Sequence, residues 1–340
     1  MSAPDAKRSV KLGVVLAALA GVLGAGYLIF MVGFGAVADA VLSVGWDGFA
    51  LLLLYGAANF VLLGIAWLLV VPPYSWRNAV TFCWGRAVRD SAGDILPFSQ
   101  FGGMVIGARA TILRGIPQGL AFASMIVDTT VEMIAQIGIV ILGLVILTLH
   151  LPGATSRIPM VQVTIIGILV AILAAGAFVV VQRRGFAFLE RIAERLLPSA
   201  AAPAAAINRS INAIHAAPWR MAAACVVHLL GWLFSAFGTW LALTLIQAPI
   251  SFGEAIVIES LLCAARSAAV FVPAALGVQE AGYALMMPLF GLAPEVGIAI
   301  SLLKRAREIT LGVPVLLSWQ IAEGGHAVAA RSAHPPAGSE

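Results

Sequence analysis

An all-α polytopic membrane protein, with about six full transmembrane helices and two Pro/Gly-broken re-entrant elements arranged as an inverted repeat, is the fold this sequence predicts. Three observations carry that expectation. Of 340 residues 61 % are hydrophobic and only 11 % charged, too few charges to clothe a water-soluble surface. Apolar stretches long enough to cross roughly 30 Å of hydrocarbon recur along the chain. The runs from Trp84 to Gly103 and from Ala265 to Glu280 share one plan: an arginine (Arg89, Arg266), a short apolar helix, then Pro97 with Gly102 and Gly103, or Pro273 with Gly277, which should break that helix. Arg89 and Arg266 stand 177 residues apart, Pro97 and Pro273 176, and Pro117 and Pro294 177, a constant offset that predicts a repeat.

The elements follow in order. Leu12 to Val32, behind Lys7, Arg8 and Lys11, is longer than the roughly 7 to 15 apolar residues of a cleavable signal and reads as a retained signal anchor. Phe49 to Val71, Met133 to Leu149, Ile158 to Val181 and Met221 to Ile246 are further spans; a sixth, Pro294 to Ile321, is interrupted by Lys304, Arg305, Arg307 and Glu308. Segments 79–96 and 254–272 are shorter and charged, as re-entrant elements would be. The expected organisation is a helix pair over 1–72, a first repeat over 73–182, a cytoplasmic connector over 183–220, an inverted second repeat over 221–325 and a disordered tail over 326–340, which is polar and Pro-rich. Within the connector, Phe186, Leu189, Ile192 and Leu196 share one helical face opposite charges and should lie flat at a membrane surface, with 199–206 as a small-residue linker.

Lysines and arginines collect on the cytoplasmic side of membrane proteins, which puts the amino terminus inside, the 34–48 loop (Asp39 and Asp47, no Lys or Arg) outside, and the Arg191, Arg195, Arg209 and Arg220 connector inside. Three crossings then separate the two broken elements. Because three is odd, the repeats are expected to be inverted, an architecture that lets one site face either side of the membrane in turn.

The intramembrane charges are the candidate site. Asp128 lies eleven residues after Pro117 and Arg305 eleven after Pro294, so at about 1.5 Å per residue both sit roughly 16 Å deep. Asp128 and Glu132 share a helix face, as do Lys304 and Glu308, and Arg305 and Glu308. Each such group left in hydrocarbon costs about 2.5 to 3.5 kcal/mol on insertion scales, so they must face one another or a wet cavity. Pairing of Asp128 and Glu132 with Arg305 or Lys304 is the expectation that equal depth and opposite sign suggest. Arg89 and Arg266, on the arms ahead of the breaks, offer a planar fork suited to a phosphate. The alternative is purely structural pairing, of Arg89 with Asp90 or Asp94 and of Arg266 with Glu259 or Glu280. Six bases (Arg86, Arg89, Arg266, Lys304, Arg305, Arg307) against eight acids (Asp90, Asp94, Asp128, Glu132, Glu254, Glu259, Glu280, Glu308) leave the sign of a cargo undecided.

Other chemistries find little support. Three cysteines, Cys83, Cys225 and Cys263, lie inside apolar segments and form no disulfide framework or metal motif, and the five histidines lack ligand spacing. His228 reads as a packed residue within its helix, with proton handling as the alternative. No nucleophile elbow, phosphate-binding loop, zinc spacing or dinucleotide fingerprint occurs, so no cofactor and no enzymatic activity are expected. A net charge of +4 gives no reason to expect nucleic acid.

With Leu96-Pro97-Phe98-Ser99-Gln100-Phe101-Gly102-Gly103 behind Arg89 and ahead of Arg109, with Asp128-Thr129-Thr130-Val131-Glu132, and with Val272-Pro273 through Gly277-Val278-Gln279-Glu280 behind Arg266, the chain resembles the membrane, flippase-like domain of the lysylphosphatidylglycerol synthase family, most of all its hopanoid-biosynthesis-associated branch. The resemblance implies movement of an aminoacylated phospholipid between leaflets, or a hopanoid-related cargo. Asp128 is followed by Thr129 where an acidic-Arg pair is usual in the family, a departure that argues against lysylphosphatidylglycerol itself as the cargo.

The function expected is therefore that of an integral lipid translocase in a bacterial cytoplasmic (inner) membrane, amino terminus cytoplasmic, with membrane lipids as partners, lipid-biosynthesis enzymes as further ones, and a homodimer as a possible assembly. The candidate headgroup residues are Arg89, Arg266, Glu280, Asp128, Glu132, Arg305, Glu308 and Arg109. The competing expectation is a membrane-embedded enzyme, or enzyme partner, of lipid biosynthesis in which Asp128, Glu132 and Glu280 do acid-base work.

Overall fold

The computed structural model describes residues 34–72, 75–96, 99–150, 198–248, 250–268 and 277–332. Among them only helices, turns and short connections occur, in keeping with an all-α membrane protein. The spans expected at Leu12 to Val32 and Ile158 to Val181, the amphipathic segment 185–197, and the breaking residues Pro97 and Pro273 lie outside the described residues.

Helix α1 runs from Phe34 to Val70. The stretch read from its acidic residues as a loop over 34–48 is helical instead, and the chain kinks once, at Gly45, whose φ of 70° and ψ of 168° suit a residue without a Cβ. A single 3-10 turn, Trp76–Asn78, is capped by Ser75 Oγ, which accepts from the Arg77 N–H at 3.3 Å. Helices α2 (Ala79–Ile95) and α3 (Ser99–Leu113) follow. Leu96, with ψ 148°, has the extended backbone that the residue before a proline is driven to adopt, and this ends α2.

Gly102 and Gly103 do not break a helix, as their type suggested; both lie inside α3. Gly103 serves close approach, for a Cβ there would sit 2.5 Å from the Arg89 carbonyl oxygen. Helices α2 and α3 are thereby pressed into one tight hairpin.

Helix α4 spans Gln118–His150 and α5 Pro198–His215. The small-residue stretch 199–206 is thus helix rather than linker, because alanine is the strongest helix former and proline at the first turn needs no hydrogen-bonded N–H. Helices α6 (Pro218–Leu245), α7 (Phe252–Ala268) and α8 (Val278–Met286) lead through a 3-10 turn, Met287–Phe290, to α9 (Pro294–Ser332). Gly277, with φ 78°, opens α8. The last helix continues through Ser332, into the segment expected to be a disordered tail; its Ala-rich sequence sustains the helix there.

Among the described residues three helices are long and apolar enough to cross a membrane, at Leu42–Val70, Gln118–Leu149 and Pro218–Leu245. Helix α9, at 39 residues, has the length but carries charges through its middle. One apolar cluster joins α1, α2, α3 and α4 to α5 and α6 around Trp67, Phe82, Met125 and Ile214. A second joins α1 and α6 to α7, α8 and α9 around Phe49, Leu243, Ile258, Tyr283 and Ile300. Helix α4 also packs along α7, which brings the two hairpin regions side by side.

Candidate functional site

Two arginines one helical turn apart start the site. Arg86 and Arg89 project from α2 toward α4, where Asp128 and Glu132, four residues apart, form a facing acidic pair. Arg86 Nη2 lies 2.5 Å from Glu132 Oε1 and its Nε 2.7 Å from Asp90 Oδ2, while Arg89 reaches Glu132 Oε2 at 2.8 Å and Asp128 Oδ2 at 3.3 Å. Both guanidinium forks are therefore filled from within the protein. The other oxygen of Asp128 meets His228 Nε2 of α6 at 2.9 Å, both side chains being fully buried.

A second buried pair links α7 to α9. Lys304 Nζ lies 2.6 Å from Glu259 Oε1, which also accepts hydrogen bonds from Thr239 Oγ1 (2.5 Å) and from the Tyr283 hydroxyl, and Ser235 Oγ donates to the second oxygen at 2.9 Å. Lys304 further lies 5.0 Å from the centre of the Tyr283 ring. Arg86 and Glu132 are 46 residues apart in sequence, Glu259 and Lys304 45. The same span is thus bridged by an ion pair of opposite polarity: base then acid in the first instance, acid then base in the second.

Between these clusters the Gly277-Val278-Gln279-Glu280 stretch does several jobs at once. Glu280 caps its own helix by accepting from the Gly277 N–H at 2.8 Å, and its other oxygen accepts from Arg305 Nε and Ser301 Oγ, each at 3.2 Å. Gln279 accepts from Arg266 Nη1 at 3.2 Å and donates to Ser301. Arg266 Nη2 then crosses to Asp94 on α2 at 3.3 Å, tying the arm of one hairpin to the arm of the other. Arg305 Nη1 also meets Glu308 at 3.2 Å. Charges that would each cost several kcal/mol alone in hydrocarbon are thus connected by multiple hydrogen bonds.

Several expected partnerships differ from those found. Asp128 and Glu132 do not meet Arg305 or Lys304; equal depth overlooked Arg86 and Arg89, which the short α2–α3 hairpin delivers to them first. Arg89 pairs with Asp128 and Glu132, with Asp90 only at 4.0 Å, and Arg266 with Asp94 and Gln279 rather than a glutamate. Arg109 stands apart from the network, in a bidentate pair with Glu323 at 2.7 and 3.0 Å. Glu254 leaves the intramembrane tally, because it and Ser251 cap the start of α7 reciprocally. His228, read as a packed residue, and Thr239 and Tyr283 join the site; intramembrane polarity was their one signal, and no spacing linked His228 to a residue a hundred positions earlier. Among the described residues no group of His, Cys, Asp or Glu is arranged to hold a metal ion.

Comparison with known proteins agrees with this architecture. Residues 12–317 match the family model described as the lysylphosphatidylglycerol synthase transmembrane region. No curated protein and no solved structure matches the chain. The match covers well over half of the chain, and the chain belongs to the lysylphosphatidylglycerol synthase transmembrane-region family.

Proposed function

We propose that this protein is a lipid translocase that passes a polar headgroup between the two hairpins while the acyl chains stay in the bilayer. The observation that carries the reading is the Arg266–Asp94 pair. It joins the two hairpin arms, and its members are among the more exposed of the network, at 32 % and 23 %. A more accessible ion pair is easier to part and re-form than Lys304–Glu259 and Arg86–Glu132, which are more deeply buried and bonded on several sides. Rigid halves joined by a labile contact are what alternating exposure of a central site requires.

The offset of the two charged arms supports reading α2–α4 and α7–α9 as repeated halves, and the odd number of crossings read between them supports their inversion. The basic amino terminus and connector support a cytoplasmic-membrane protein with its amino terminus inside. Membership of a family tied to lipid modification supports an aminoacyl-phospholipid or a hopanoid-related lipid as cargo. Acid-base chemistry is the weaker reading, since Asp128 and Glu132 are held by two arginines and Glu280 by Arg305.

Reconstitution tests the proposal. Purified protein in liposomes carrying a fluorescent lipid should move label from the inner to the outer leaflet with its mass unchanged. A covalently altered lipid would assign the protein to enzymology instead, and neither outcome would leave only a scaffold.

A further inference from the structure

We infer that Arg307 is a phosphate-binding residue, a site for the phosphate ester of a lipid headgroup or for the free anion. The inference rests on the translocase reading only for its role in transport; the binding itself stands on the geometry around Arg307.

Six bases lie in the membrane region, and among the described residues five of them have a carboxylate oxygen within 3.3 Å: Arg86, Arg89, Arg266, Lys304 and Arg305. Arg307 differs. Its nearest carboxylate is that of its sequence neighbour Glu308, at 3.8 Å, too far for a charge-assisted hydrogen bond. It is also more exposed, at 17 %, than Arg86, Arg89, Lys304 or Arg305, none of which exceeds 9 %. A neutral ring lies against it: the guanidinium is 5.2 Å from the ring centre of Tyr55 on α1. A flat, five-donor cation beside an aromatic ring, with no carboxylate oxygen of the described residues closer than 3.8 Å, carries the donor set that a phosphate takes.

The surroundings are shaped for this arrangement. A Cβ on Gly56 of α1 would come within 3.1 Å of Arg307 Cδ, and one on Gly238 of α6 within 2.2 Å of the Tyr55 ring. Two glycines on two helices thus clear the space in which the arginine stem and the ring lie, and Phe234 lies tilted against the ring with the centroids 4.9 Å apart. Glu308 lies 3.8 Å from Arg307 and 3.2 Å from Arg305, so the site borders the Glu280–Arg305 contact. A headgroup phosphate arriving there would replace the distant Glu308 as the partner of Arg307.

The experiment uses the full-length chain in detergent, with thermal unfolding as readout and three probes: dioctanoyl phosphatidylglycerol, dioctanoylglycerol, and sodium phosphate against sodium chloride of equal ionic strength. Phosphatidylglycerol should raise the unfolding midpoint and dioctanoylglycerol should not. Arg307→Gln should weaken the apparent affinity for the phosphate-bearing lipid at least about tenfold. Arg307→Lys, which keeps the charge and the contact with Tyr55 and so guards against misfolding, should give an intermediate response because the fork is gone. A rise with sodium phosphate as well assigns the site to the free anion; a rise with the lipid alone assigns it to a headgroup; either upholds the inference. An Arg307→Gln protein that responds like wild type, or a wild type that answers to neither phosphate-bearing probe, overturns it. If binding depends on Arg307 but wild-type liposomes move no lipid, the phosphate site stands and the translocase reading falls; if lipid moves and binding ignores Arg307, the reverse holds.

Discussion

His228 Nε2 lies 2.9 Å from Asp128 Oδ1, with neither side chain in contact with solvent, so a residue of α6 completes a charge cluster built by α2 and α4. The imidazole turns what would be a five-residue ion cluster of α2 and α4 into a joint among three helices. Its Nδ1 is buried without a hydrogen-bond partner.

Removing either member of that joint should destabilise the protein to different extents. His228→Phe strands one oxygen of a carboxylate that keeps its two arginines, a loss of about 1 to 3 kcal/mol. Asp128→Asn leaves Arg86 and Arg89 short of a buried counter-charge, a loss of about 3 to 5 kcal/mol. Chemical unfolding of the two variants in detergent should rank them in that order.

Glu259 and Lys304 should behave as one unit. Glu259→Gln and Lys304→Met should each cost about 3 to 5 kcal/mol, and the double variant far less than their sum, because a neutral pair leaves no stranded charge. Asp128→Asn combined with Arg305→Gln should instead be additive, since those two residues share no contact. A double-mutant cycle by unfolding distinguishes the two patterns.

The seam between α4 and α7 should be sensitive to a single methyl group. A Cβ on Gly143 would overlap Ser260 Oγ at 1.8 Å, so Gly143→Ala should destabilise by about 1 to 3 kcal/mol. Adding Ser260→Gly should recover most of that loss, an outcome visible in the thermal midpoint.

Arg109 and Glu323 should matter little. Their pair is bidentate, but Arg109 is more than a third exposed, and screened pairs of that kind contribute about 0 to 1 kcal/mol. Arg109→Ala should leave both the unfolding midpoint and lipid movement near wild type.

Much of this architecture was legible in the sequence because hydrocarbon makes charge placement expensive. The hairpin break after Leu96, the long helix from Gln118 and the placing of Arg89, Asp128, Glu132, Arg266 and Glu280 among buried ion pairs follow from finding Pro, Gly and charge inside apolar runs. Partner choice did not follow. Depth along a helix axis is one coordinate, whereas pairing depends on azimuth and on which helices are neighbours, so Asp128 was matched by depth to Arg305 although Arg86 and Arg89 face it. Glycine is ambiguous in the same way: Gly277 opens α8 with a positive φ, while Gly103 lets two helices touch, and residue type alone does not separate the two uses. His228 lacked any signal beyond polarity within an apolar span.

The central claim is that the two hairpin arms part to let a headgroup through, and bridging them tests it most directly. In a chain with Cys83, Cys225 and Cys263 replaced by alanine, Asp94→Cys with Arg266→Cys removes a matched pair and leaves two thiols to be joined by a short, reducible thiol-specific cross-linker. Leaflet exchange of a fluorescent lipid in proteoliposomes should proceed in the wild type and in the unbridged variant, stop when the arms are bridged and return on reduction. Undiminished exchange with the arms bridged, or no exchange by the wild type, would contradict the account.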